Sequence, residues 1–136
     1  MKTYHREMVN TRRLYALENR LYKDHRFTEI TKSRSITYLQ RLATTIWKNE
    51  GITKSMPVIR FGKGTYHIGE YYSWCDGTTI ELAPTQRDVL TLIHELVHAM
   101  GMGYHNKKFV HTEVYLLHMY TSTNTGVLLD TFEDIL

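Results

Sequence analysis

Cysteine is nearly missing from this chain. Cys75 stands alone, so an internal disulfide and a multi-cysteine zinc site are both excluded. Proline is scarce, with two residues, and no Pro/Gly/Ser-rich linker, repeat or low-complexity stretch divides the sequence. No run of about 18 apolar residues occurs, which excludes a transmembrane helix and a membrane partner of that kind. The opening Met1-Lys2-Thr3-Tyr4-His5-Arg6-Glu7 leads into no apolar stretch of the sort a secretory signal needs, so a cytoplasmic protein is expected. The 136 residues suffice for one compact domain, and 42% hydrophobic with 23% charged residues excludes disordered, collagen-like and coiled-coil classes. One domain over 1–136 is expected: a basic helical part (1–55), a part carrying the sheet and the chemistry (56–120), and a tail (121–136).

What is plentiful is histidine. There are eight, and five fall between His94 and His118. Charge is uneven. Residues 1–60 hold 13 Lys/Arg against 5 Asp/Glu, a balance of +8, whereas 61–136 hold 4 against 9, a balance of −5. A basic half suits nucleic acid or an acidic protein face, although solvated helix surfaces are its ordinary explanation.

The hydrophobic period divides the chain into three parts. Met8, Leu14, Leu17 and Leu21, with Tyr15 and Tyr22, predict a first helix, followed by a break near Arg26–Lys32. Ser33 or Ser35 caps a second helix with Ile36, Leu39, Leu42, Ile46 and Trp47 on one face and Gly51 beyond its end. Residues 57–62, Thr65–Trp74 and Thr78–Leu82 then read as three strands, with Asp76-Gly77 as a turn, giving a small antiparallel sheet. Thr85-Gln86-Arg87-Asp88 fits a capping box for a helix carrying Val89, Leu92, Ile93, Leu96, Val97 and Met100, ended by Gly101 and Gly103. A last helix is expected from Lys107 to Tyr120. In the tail, Val127-Leu128-Leu129 fits a strand or a packed extension. The fold class is α+β.

His94-Glu95-Leu96-Val97-His98 is H-E-x-x-H inside a predicted helix. Histidines four apart lie one above the other, so both imidazoles reach one metal ion. Glu95, about 100° round the helix, faces the metal's water without ligating. Zinc takes imidazole nitrogen at about 2.0–2.1 Å, and a catalytic site leaves one of its four positions to water, so a third protein ligand is required. His105 follows His98 across two glycines, which let the chain reverse, and is the first candidate. His111, Glu113 and His118 on the following helix are alternatives, and Glu113 would give the His/His/Glu set of thermolysin-type sites. His5, His25 and His67 carry no motif.

These residues resemble zinc peptidases. The metzincin pattern H-E-x-x-H-x-x-G-x-x-H is a near miss: Gly101 matches, but Tyr104 occupies the third-ligand position and no Met-turn is evident. The motif pair is closer to the SprT-like and WLM group of small gluzincin-like metallopeptidases, including short versions of the kind phages encode. In that group H-E-x-x-H is followed by a His-(Gly/Asn/Asp)-x-x-Phe segment opening the next helix, here His105-Asn106-Lys107-Lys108-Phe109. The resemblance spans roughly 57–118. It implies a minimal zincin fold, a three-stranded sheet packed on the active-site helix with helices before and after. It also implies His105 as third ligand of a Zn2+ cofactor, Phe109 packing the helix, and Thr79-Ile80-Glu81-Leu82 as an edge strand.

The implied chemistry is amide hydrolysis in a protein or peptide substrate, with Glu95 as general base. Thr79–Leu82 would hold the substrate by strand addition. Tyr104 is the first candidate to stabilise the oxyanion, with Tyr66 and Tyr115 behind it. Cys75 is expected to be a packed or turn residue. With one cysteine there is no zinc ribbon, so any DNA contact falls to the basic first 60 residues. The competing readings are a nucleic-acid-associated protein with a structural zinc site, and a zinc amidase acting on a non-protein amide such as cell-wall peptide.

Overall fold

The computed structural model of the chain describes residues 2–132, with side chains from Arg12 onward except that of Thr125. The protein is α+β, with six α-helices and a small mixed three-stranded sheet among the described residues. It divides into two compact units, one of Lys32–Gly101 and one of Met1–Thr31 with Met102–Leu136.

The first of these units holds the sheet and the H-E-x-x-H helix. Its helix α3 (Ile36–Asn49) starts where Ser35 accepts a hydrogen bond from the Tyr38 N–H, and it buries Leu39, Ala43, Ile46 and Trp47. The Trp47 indole N–H donates to the Lys54 carbonyl at 2.8 Å and so ties down the chain leaving the helix. Strands β1 (Val58–Phe61), β4 (Trp74–Cys75) and β5 (Thr79–Leu82) form a sheet in the order β1-β5-β4.

The sheet is mixed, which corrects the expectation of an antiparallel one. β1 runs parallel to β5, with Ile59 opposite Ile80, and only β4 is antiparallel to β5. A parallel pair needs a crossover of about a dozen residues or more, and residues 62–78 supply it. The single strand expected over Thr65–Trp74 is instead a hairpin of β2 (Thr65–His67) and β3 (Glu70–Tyr72), followed by β4. It reverses at Ile68 and Gly69, where φ is 46° and 82°. Glycine takes that backbone freely, whereas a β-branched isoleucine does so at a cost. The Asp76-Gly77 turn stands as expected, with Asp76 Oδ1 accepting from the Thr78 and Thr79 N–H groups.

Helix α4 (Val89–Ala99) buries nearly every side chain, including Leu90, Leu92, Ile93 and Leu96. Its cap differs from the expected one. Asp88, not Thr85, accepts the hydrogen bond that starts the helix, from the Thr91 N–H at 2.8 Å. Thr85 lies exposed in a preceding turn closed by the Gln86 N–H on the Ala83 carbonyl. That turn uses up the residues a Thr85 cap would have made helical. Arg87 anchors the segment by donating to the Gly62 carbonyl at 3.2 Å while its guanidinium covers the Phe61 ring.

In the other unit, α1 (Lys2–Leu21) buries Leu14, Leu17 and Leu21. The expected Met8 contribution lies outside the described side chains. The predicted break holds a 3-10 turn (His25–Phe27) and the short α2 (Thr28–Thr31), which bury Phe27 and Ile30. Helix α5 (Lys107–Tyr120) has the expected bounds and starts at Asn106, which accepts from the Phe109 N–H at 3.0 Å. The tail forms α6 (Thr125–Phe132), with Leu128 and Phe132 buried, and not a strand.

Replacing Asp88 with alanine should cost about 1 kcal/mol of stability. Thr85→Ala should stay within about 0.5 kcal/mol of the parent. Urea unfolding of the two variants measures both, and equal losses would restore Thr85 as the cap.

Candidate metal centre

The H-E-x-x-H residues lie on α4, and the helix does to them what its period requires. His94 and His98 are one turn apart, with ring nitrogens within 4.8 Å of each other. Their ring centroids are 5.2 Å apart and the planes meet at 68°. His94 is buried, and His98 is half-buried near the helix end. Imidazole pairs of this spacing suit zinc and similar divalent ions.

Glu95 is 6% exposed, unusual for an ionisable group. Burial pushes its carboxyl group up from the ordinary carboxylate range, and His94 beside it pulls the other way. Its Oε2 is buried and accepts no hydrogen bond among the described residues. A buried oxygen without a donor is costly, which marks it as a place for a proton or a water supplied by a ligand. Cys75 on β4, half-buried, lies near enough to feel the Glu95 charge, but its thiol is pushed up chiefly by burial. It behaves as a packed thiol, not an activated one.

His105 belongs to the other unit and is 8% exposed. It precedes the Asn106 cap of α5, and its ring meets the edges of two others. Phe109 lies 4.8 Å away at 87° and Tyr15 5.3 Å away at 65°. Phe109 therefore packs on His105 as well as in the α5 core. Glu113 is fully buried, and its carboxylate comes within 4.8 Å of that of Glu18 on α1. Glu18 belongs to no sequence motif. The signal was available: it sits four residues after Leu14 and one after Leu17, on the buried stripe of α1, where a charge is out of place.

The remaining candidates spread outward. His111 and His118 are exposed on α5, His67 is exposed on β2, and His25 is exposed in the 3-10 turn. The His5 side chain lies outside the described ones. Tyr104 is 54% exposed, and Tyr66 and Tyr115 are exposed as well.

Thr79–Leu82 is not an edge strand. β5 is central, paired along its length with β1 and at Ile80 and Glu81 with β4. On the β4 side the Thr79 carbonyl accepts from the Asp76 N–H, and the Ala83 N–H donates to the Ser73 hydroxyl. Strand addition by a substrate is therefore closed to β5. Glu81 is a staple of the sheet. It accepts from the Arg60 guanidinium at 2.9 Å, the Gly64 N–H at 2.9 Å and the Trp74 indole at 3.1 Å. A Cβ at Gly62 would collide with this carboxylate and push it off these donors, which favours glycine there.

No family model, no curated protein and no solved structure matches the chain. Among the described residues no helix is long and apolar enough to cross a membrane.

The Gly64 N–H is the chief cause holding the Glu81 carboxyl below its usual range, with Arg60 and Trp74 adding to it. A depressed folded pKa contributes stability above the unfolded value of about 4.3 and loses it as pH falls. The melting temperature of Glu81→Gln should therefore lie below that of the parent at pH 7, with the gap narrowing towards pH 3. Melts at both pH values test this, and a constant gap would contradict it.

Proposed function

We propose that the chain is a zinc-dependent peptidase of SprT-like type, with a zincin arrangement, hydrolysing amide bonds of protein or peptide substrates in the cytoplasm. The observation that carries this reading is on α4: two imidazoles one turn apart beside a buried carboxylate whose Oε2 has no donor among the described residues. The donor set fits zinc, because neutral imidazole is a borderline-soft ligand and the adjacent carboxylate stays out of the ligand pair. His94 and His98 would hold the ion. His105 would be the third protein ligand, on the strength of the His105-Asn106-Lys107-Lys108-Phe109 segment, with Glu113 next in order.

Bound zinc supplies Lewis acidity and lowers the pKa of a water towards neutrality. Glu95 takes the proton of the attacking water and delivers it to the leaving nitrogen. Its desolvation strengthens it as a base, and its place on a capped, buried helix keeps its oxygen from wandering. Tyr104, exposed just before His105, remains the first candidate to donate to the oxyanion. The exposed Arg12, Arg13 and Arg20 of α1 support recruitment of the same peptidase to nucleic acid.

Two measurements test this. The purified protein should cleave an unfolded polypeptide, stop on zinc chelation and resume when zinc is returned. Glu95→Gln should keep its zinc by elemental analysis and lose activity by roughly a hundredfold to ten-thousandfold; full activity would remove Glu95 from the reaction. His105→Ala should lower bound zinc, and unchanged occupancy would pass the third-ligand role to Glu113.

A further inference from the structure

His105 is the least supported of the three proposed ligands by its own backbone. It stands before the cap of α5, outside any helix or strand. The torsion that turns an imidazole about its bond to Cβ is broad, so backbone position alone does not aim the ring. Packing has to do so. Two rings perform that task within this unit: Phe109, one turn into α5, and Tyr15 from α1.

Phe109 is fully buried and belongs to the core. Tyr15 is 45% exposed, beside the buried Leu14 and Leu17 that hold α1 in place. Tyr15 is thus not a buried core residue, and its ring makes an edge contact with His105. Glu18 lies one turn further along the same face of α1, with its carboxylate close to that of Glu113 on α5. α1 thus sends two side chains in succession towards the segment that carries the proposed ligand.

We infer that Tyr15 is a positioning residue for the metal centre, which with Phe109 sets the His105 imidazole before the ion binds. The inference rests on the zinc-peptidase reading above. Its physical content is preorganisation. A ligand ring already held in place loses less freedom on binding, and supporting groups around metal ligands are commonly worth 10–100-fold in affinity. It also gives the N-terminal helix a second task besides its basic surface.

The test is zinc affinity, measured on the full chain by competition with a chromophoric chelator, together with the visible absorption of the cobalt-substituted protein. Tyr15→Ala should weaken zinc binding by about 10-fold or more and change the cobalt spectrum. Tyr15→Phe should restore both, because it keeps the ring that meets His105. Tyr15→Leu keeps apolar bulk on α1 and covers the case in which the alanine variant fails to fold; it should still bind zinc more weakly than the parent. Parental affinity and spectrum in a folded Tyr15→Ala or Tyr15→Leu variant would overturn the inference. His105→Ala separates the two levels of the argument. If it weakens zinc binding while Tyr15 variants do not, only the positioning role fails. If His105→Ala binds zinc like the parent, the ligand assignment beneath it fails.

Discussion

A helix that buries a histidine and a glutamate among leucines, with a second, half-buried histidine one turn on, sets the terms for the rest of this molecule. Polar groups taken out of water need partners, and a buried carboxylate oxygen left without a donor costs more than most single contacts gain. α4 carries Glu95 in that condition with His94 next to it and His98 one turn on. The apolar residues around them, Leu90, Leu92, Ile93 and Leu96, provide the burial that makes the arrangement affordable and keep the helix from turning. Such stored cost is typical of a site whose partner is a ligand.

The preceding segment fixes the start of α4. Asp88 caps its start, and Arg87 and Gln86 tie the preceding turn to the Gly62 carbonyl and the Ser73 N–H. The sheet beneath is small, and its strands are four residues or fewer. It is held by more than its ladder, because Glu81 joins β1, β4 and the segment at Gly64 to the central strand. A carboxylate that satisfies three donors stiffens a sheet too short to be stiff by itself. This also explains why β5, attractive as a substrate strand in the sequence, is occupied in the fold.

Much of this was legible beforehand, and the failures have physical reasons. Helices α3 and α4 are readable from their 3.6-residue period, and α3 also from its Ser35 cap, because periodicity and capping are local. The expected span of α5, Lys107 to Tyr120, matches the structure, where Asn106 caps its start. The strand directions were not local: pairing β1 with β5 depends on a long crossover that no short window of sequence reports. The hairpin at Ile68-Gly69 is hidden in the sequence because its first turn residue is isoleucine, where asparagine or aspartate would announce the turn. Asp88 belongs to the expected capping pattern but takes the cap itself, since the Pro84-Thr85 turn shifts the helix start. His94, Glu95 and His98 are legible as a motif, and Glu18 as a charge on the buried stripe of α1, whereas its closeness to Glu113 and that of Tyr15 to His105 arise only from packing.

The central claim is that His94, His98 and His105 hold one zinc ion next to Glu95. A crystal structure of the zinc-loaded protein, with anomalous differences measured on both sides of the zinc absorption edge, tests it most directly. The expected result is a single strong peak about 2.0–2.1 Å from a ring nitrogen of each of the three histidines, with Glu95 beside it and not bonded to it. A peak elsewhere, or none at His94 and His98, would contradict the claim.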